Sequence, residues 1–136
     1  MTKVVLTVLG VVGVGTALWM TPTLQRADRD DSNSGAYVYR TFCASCHGQT
    51  GKGDGPAAGT LVRQPTDLTT LSQRNGGVFP RADVIAVLDG SRRVPGHEEG
   101  GMPNWQDIFR RELRSERLVR ERLERLASYI ETLQAR

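Results

Sequence analysis

Cys43-Ala44-Ser45-Cys46-His47 is the stretch that decides how the rest of this chain is read. Two cysteines three apart, with a histidine directly after the second, form the pattern of a c-type haem attachment site. The order follows from the chemistry. Each thiol adds across one haem vinyl group and leaves a thioether. The two-residue gap puts both sulfurs on one helical turn, about the span between the vinyls. His47 is then held under the iron as a proximal ligand. A thioredoxin-like pair also uses Cys-x-x-Cys, but in a βαβ setting. Here the flanks are Tyr39 and Phe42 on one side and a glycine-rich loop on the other. A structural zinc site needs four protein ligands, and only Cys43, Cys46, His47 and His97 are on offer. A plain disulfide leaves His47 unexplained.

Downstream, Gly100-Gly101-Met102-Pro103-Asn104-Trp105 offers a second iron ligand. An electron-transfer haem commonly takes a thioether opposite its histidine, and this soft donor favours reduced iron. Met1 and Met20 lie in or beside an N-terminal apolar segment, which leaves Met102 to a soluble domain. The bland reading of a lone methionine is a gap-filler in the core. His97 has three readings: a distal ligand giving a bis-histidine haem, a partner of a haem propionate, or a solvated loop residue. Trp105 is expected on the haem edge, with its N–H bonded to a propionate or to backbone.

With these motifs in view the chain resembles a class I mono-haem cytochrome c of the bacterial type. The likeness runs through Gly35-Ala36-Tyr37-Val38-Tyr39, the haem motif with Gly48, and Gly51-Lys52-Gly53-Asp54-Gly55-Pro56-Ala57-Ala58. It continues through Pro65-Thr66-Asp67-Leu68-Thr69, Arg74-Asn75-Gly76-Gly77-Val78-Phe79-Pro80, Asp89-Gly90, Met102-Pro103-Asn104-Trp105 and Tyr129-Ile130-Glu131. The resemblance implies an all-α cytochrome c fold, with crossed N- and C-terminal helices around one covalent haem c and its iron. It implies a small residue where the first helix meets the last, and Gly35 is the matching position. It also implies a carbonyl at Gly55-Pro56 that accepts the other imidazole N–H of His47 and so orients the ring. An ordinary turn proline is the alternative there.

The chain is long enough for one domain plus appendages. Residues 1–21 are read as a membrane element: Lys3, then an uncharged run from Val4 to Met20 that is just long enough to be a marginal span. Gly15-Thr16-Ala17 also passes as a signal cleavage site. The expected location is therefore the bacterial inner membrane facing the periplasm through an uncleaved anchor, or a soluble periplasmic protein after cleavage. Residues 22–33 read as a flexible linker and 34–136 as the cytochrome c domain.

Within the domain, Ser34 caps a first helix bearing Tyr37, Val38 and Phe42. Residues 48–59 form a loop. It lacks the Gly-x-x-x-x-Gly-Lys-[Ser/Thr] order of a phosphate loop. Thr66 or Asp67 caps a short helix holding Leu68 and Leu71, which ends at Asn75-Gly76-Gly77. Pro80 opens a third helix with Val84, Ile85, Val87 and Leu88, stopped by Gly90. These two helices are expected to wall the haem crevice. A last helix spans about 115–133, with Val119, Leu123, Leu126, Ile130 and Leu133 as one apolar stripe. Arg117, Arg120, Glu121, Arg122, Glu124 and Arg125 are assigned to its solvent side, with Glu121 and Arg125 as a four-apart pair. The Arg-rich residues 107–114 give no clear element.

A formal charge of +3 with interleaved signs is no nucleic-acid signature. Arg92-Arg93 is a small basic spot, either a solvated face or a docking contact. Aromatics make up 6% of the chain, so the haem itself must supply much of the apolar core. The expected function is a single-electron carrier, not an enzyme, serving redox protein partners such as a membrane oxidase, reductase or dehydrogenase. The alternatives are a haem enzyme or small-ligand sensor with an open or labile distal site, and an interaction domain with a Cys-x-x-Cys disulfide.

Overall fold

The computed structural model describes residues 32–94 and 102–135, and among them every regular element is helical. In order, α1 is Gly35–Phe42, α2 Ala44–His47, α3 Leu71–Arg74, α4 Arg81–Leu88, α5 Trp105–Leu113 and α6 Glu116–Thr132. Two 3-10 turns, Ala58–Thr60 and Leu68–Thr70, lie between α2 and α3. The expected membrane element at 1–21 and most of the expected linker lie outside the described residues, as does His97. None of the described helices is long and apolar enough to cross a membrane.

The first helix starts where the sequence says it should. Ser34 is extended, and its hydroxyl accepts from the Tyr37 N–H at 3.2 Å, which satisfies one of the unpaired donors of the first turn. Asn33, read as the last linker residue, accepts from the Arg122 guanidinium at 2.8 Å and is tied to α6.

The core is the crossing of α1 over α6, with α4 and α5 packed against other parts of α6. Val38 and Tyr39 of α1 meet Val119, Leu123, Leu126 and Ile130 of α6, all buried. Each such side chain contributes about 1.5–3 kcal/mol of transfer free energy. Gly35 makes the crossing possible: a Cβ there would overlap the Arg125 carbonyl oxygen and meet the Tyr129 Cβ at 2.9 Å. Tyr39 carries a polar tip into this interface. Its hydroxyl donates to the Gly48 carbonyl at 2.8 Å, and its ring tilts against Tyr129 at 5.2 Å. Burial, with Cys43 nearby, pushes the Tyr39 phenol well above its ordinary value, so it stays a donor. Tyr39→Phe should cost about 1–1.5 kcal/mol in urea unfolding, since it strands the Gly48 carbonyl and leaves the packing intact.

Three expectations change. Residues 107–113 belong to a regular helix, α5, and Arg114 ends it. Asn104 caps it, accepting from the Asp107 N–H at 3.3 Å, and Trp105 and Phe109 bury one side of it. Arg122 is only 5% exposed and does not belong to the solvent side of α6. It lies over the Phe109 ring at 5.0 Å and donates to Glu112 at 2.7 Å. Its charge is thus matched by a carboxylate, an amide and a π-face, which is what a buried guanidinium requires. Glu121 pairs with Arg117, one turn before it, in place of the expected Arg125 contact.

The end of α6 holds the crevice wall. Gln134 donates to the Leu68 carbonyl at 2.7 Å and accepts from the Ser72 N–H at 2.8 Å. Asp67 caps the Leu68 turn through the Thr69 N–H at 2.8 Å, one of the two caps expected. The Thr69 hydroxyl and then its backbone N–H hold the Asp67 carboxyl below its ordinary value.

Candidate functional site

Phe42 ends α1 and the chain turns at once into α2, so Cys43, Cys46 and His47 stand on one tight turn. The loop that follows winds back and satisfies the open carbonyls of that turn. Gly53 N–H donates to the His47 carbonyl at 2.8 Å, Gly55 to Cys46 at 3.1 Å, and Ala57 to Ser45 at 2.9 Å. Gly53 sits at φ 78, and a Cβ on it would overlap the Pro65 carbonyl oxygen. The glycine therefore lets the segment 64–66 press against the motif.

That approach delivers the backbone oxygen that orients the histidine. His47 Nδ1 lies 3.1 Å from the Thr66 carbonyl oxygen. This fixes the proton on Nδ1 and leaves Nε2 as a lone-pair donor. Burial pulls the His47 pKa down, partly opposed by the Thr66 bond, so the ring is neutral, as a metal ligand must be. Pro56, the position expected to supply this oxygen, is exposed and does not line the crevice. Its neighbours Gly55 and Ala57 are committed to the α2 carbonyls, which holds the Pro56 segment behind the motif and brings Thr66 to the ring.

Cys43, Cys46, His47, Met102 and Trp105 all line one crevice. Its part on the cysteine side has a volume of about 210 Å³ and is bounded by Phe42, Arg63 and Pro65. The adjoining part has about 460 Å³ and is walled by Leu68, Leu71, Val84 and Val87. Helices α3 and α4 wall it, as expected. Of the α4 apolar residues only Leu88 is buried; Val84 and Val87 are half-buried and line the cavity. The crevice is thus an apolar cavity as large as a typical cofactor site, with two thiols and an imidazole at its floor.

One buried atom is left without a partner. Trp105 is 7% exposed, with Phe109 stacked on it at 6.0 Å and Phe42 tilted against it at 5.4 Å, yet its Nε1 has no hydrogen-bond partner among the described residues. Buried indole N–H groups are ordinarily bonded. A haem carboxylate is an acceptor of the right kind, and the apolar walls suit the macrocycle. The residues present therefore fit a haem.

The rival readings of the motif do less well. Both cysteines are free thiols. Burial pushes the Cys43 thiol up to about 12, the reverse of what an exchange-active cysteine needs. Among the described residues no group of three or more His, Cys, Asp or Glu side chains is placed to hold a metal ion. Arg92 pairs with Asp83 at the crevice wall, and Arg93 stands at a smaller neighbouring hollow beside Met102.

Residues 32–134 match the family model for cytochrome c. No curated protein and no solved structure matches the chain.

Proposed function

The chain belongs to the cytochrome c family, which binds haem c covalently, and on that premise we propose that it is a single-electron carrier in a bacterial respiratory or related electron-transfer chain. The observation that carries this reading is that His47 and Met102 line the same crevice into which Cys43 and Cys46 open. Cys43 and Cys46 would hold the haem by thioethers, and His47 and Met102 would be its two protein ligands. Bound there, the haem supplies an iron that accepts and returns one electron.

The chain's own residues do the rest. The Thr66 carbonyl keeps the His47 ring in one tautomer and one orientation. A Met102 thioether as a protein ligand beside the His47 imidazole would favour the reduced iron and raise the potential. Trp105 would offer its unpartnered N–H to a haem carboxylate. Leu68, Leu71, Val84 and Val87 keep water from the macrocycle, which reduces the solvent reorganisation that accompanies electron gain and loss. Cytochrome c domains work with redox protein partners. For this chain a membrane oxidase, reductase or dehydrogenase is proposed, with the domain held at the periplasmic face of the inner membrane by residues 4–20.

Covalent attachment tests the base of this reading. After expression with a haem-ligation system, a denaturing gel should show haem staining on the chain. Acid–organic extraction should leave the colour with the protein. Haem that extracts freely would mean that Cys43 and Cys46 form no thioethers, and the carrier reading would lose its base.

A further inference from the structure

Arginines gather where α5 turns into α6. Between residues 110 and 125 they outnumber the carboxylates. Some are matched inside the fold: Arg110 to Glu116 at 2.8 Å and Arg122 to Glu112 at 2.7 Å. Arg111, Arg114 and Arg120 are exposed and make no ion pair among the described residues. Arg114 forms the corner itself, at φ 51, the only left-handed non-glycine residue described. Glycine or asparagine is the usual occupant of such a position after a helix. A large cation stands here at a backbone cost, on the outermost point of the turn.

The same corner receives the incoming chain. Asn33 is bonded to Arg122, and Arg122 in turn to Glu112 of α5. Whatever holds the N-terminal segment is therefore tethered to the domain beside the α5–α6 corner. The residues between Met20 and Ser32 span at most roughly 40 Å when fully extended. Trp105, at the crevice, begins α5 and Arg114 follows its end, so one helix length of about 13 Å separates corner from crevice wall.

We propose that Arg111, Arg114 and Arg120 dock the domain on the anionic phospholipid of the membrane that holds residues 4–20. The inference rests on the anchored reading above and extends it to the orientation of the domain. Lys52 is the only lysine among the described residues; the cations at the corner are all arginine. A guanidinium binds phosphate oxygens by paired, directed N–H groups, and an ammonium does so only as a point charge. The tether turns weak headgroup contacts into intramolecular ones, so a few arginines suffice.

The test is hydrogen exchange on the full-length, haem-loaded protein in nanodiscs of phosphatidylcholine alone and of phosphatidylcholine with phosphatidylglycerol. Amides of residues 110–121 should exchange about threefold more slowly, or slower still, in the anionic discs. High salt should remove the difference. So should the triple variant R111Q/R114Q/R120Q, with its haem spectrum unchanged and its chain still on the disc. Arg114→Gly separates charge from fold. It relieves the left-handed backbone, so its melting temperature should not fall, yet part of the lipid-dependent protection should go. Equal exchange in the two lipids overturns the proposal, as does protection that survives the triple variant. Protection that requires an added acidic protein in place of lipid also overturns it. A chain that does not stay on neutral discs removes the anchor, and the proposal with it. None of these outcomes touches the haem spectrum on which the carrier reading stands.

Discussion

Gly35→Ala should destabilise the haem-loaded domain by about 3 kcal/mol or more, at the upper end of what overpacking costs and a large share of the roughly 5–15 kcal/mol that holds a domain of this size. The sign is not obvious in advance. Gly35 opens α1, and alanine in a helix is favoured over glycine by up to about 1 kcal/mol. The crossing opposes that gain. The added carbon would overlap the Arg125 carbonyl oxygen, which is backbone and cannot rotate away, and would press on the Tyr129 Cβ at 2.9 Å. Relief requires α1 and α6 to move apart, and that loosens Val38 and Tyr39 against Leu126 and Ile130 together. Gly59→Ala is the matched control. A Cβ there meets nothing within 4 Å, so its effect should stay within about 0.5 kcal/mol. Urea unfolding of both variants decides the matter. If Gly35→Ala were as stable as its parent, the close approach of the two helices would not be what holds the fold.

What was legible in the sequence, and what was not, follows from where the information resides. The attachment motif, the Ser34 cap, the α6 stripe and the Pro80-to-Gly90 limits of α4 are all written in side-chain identity or spacing, and each is found in place. The oxygen that orients His47 is not. A carbonyl has no sequence signature, and the choice of Thr66 over Pro56 comes from how the loop winds back on α2. The resemblance pointed to a carbonyl partner for the ring at Gly55-Pro56, and in the structure the carbonyl beside the ring is that of Thr66. Helix α5 carried a readable signal that its arginines obscured. Asn104 with Asp107 three later is a capping pattern, and Trp105, Ile108, Phe109 and Leu113 share one face. Arg122 was unreadable in principle. Its position on α6 sits beside the apolar stripe, and only the arrival of Phe109, Glu112 and Asn33 from other segments makes it a buried residue. The family match over residues 32–134 takes in Asn33 together with Phe109, Glu112 and Arg122.

Met102→Ala should lower the reduction potential by more than about 0.1 V, because the axial ligand is the strongest single control a protein has over a haem iron. Met102 is the only methionine among the described residues, and it borders each part of the crevice together with Pro103 or His47. An iron–thioether bond gives the oxidised protein a weak near-infrared charge-transfer band, which Met102→Ala should abolish. The reduced variant should also bind carbon monoxide, since no second protein ligand would then close the iron. Met102 is half-buried, so its loss removes some packing as well; a Met102→Leu variant restores the volume and should leave the band missing. His97→Ala should leave band and potential in place. Loss of the distal ligand in His97→Ala, with the Met102 variants unaffected, would make the haem bis-histidine and the high-potential carrier reading wrong. Ready carbon monoxide binding by the unmutated reduced protein would mean that Met102 lines the crevice without closing it, and a haem enzyme or small-ligand sensor would then account for the site better than a carrier.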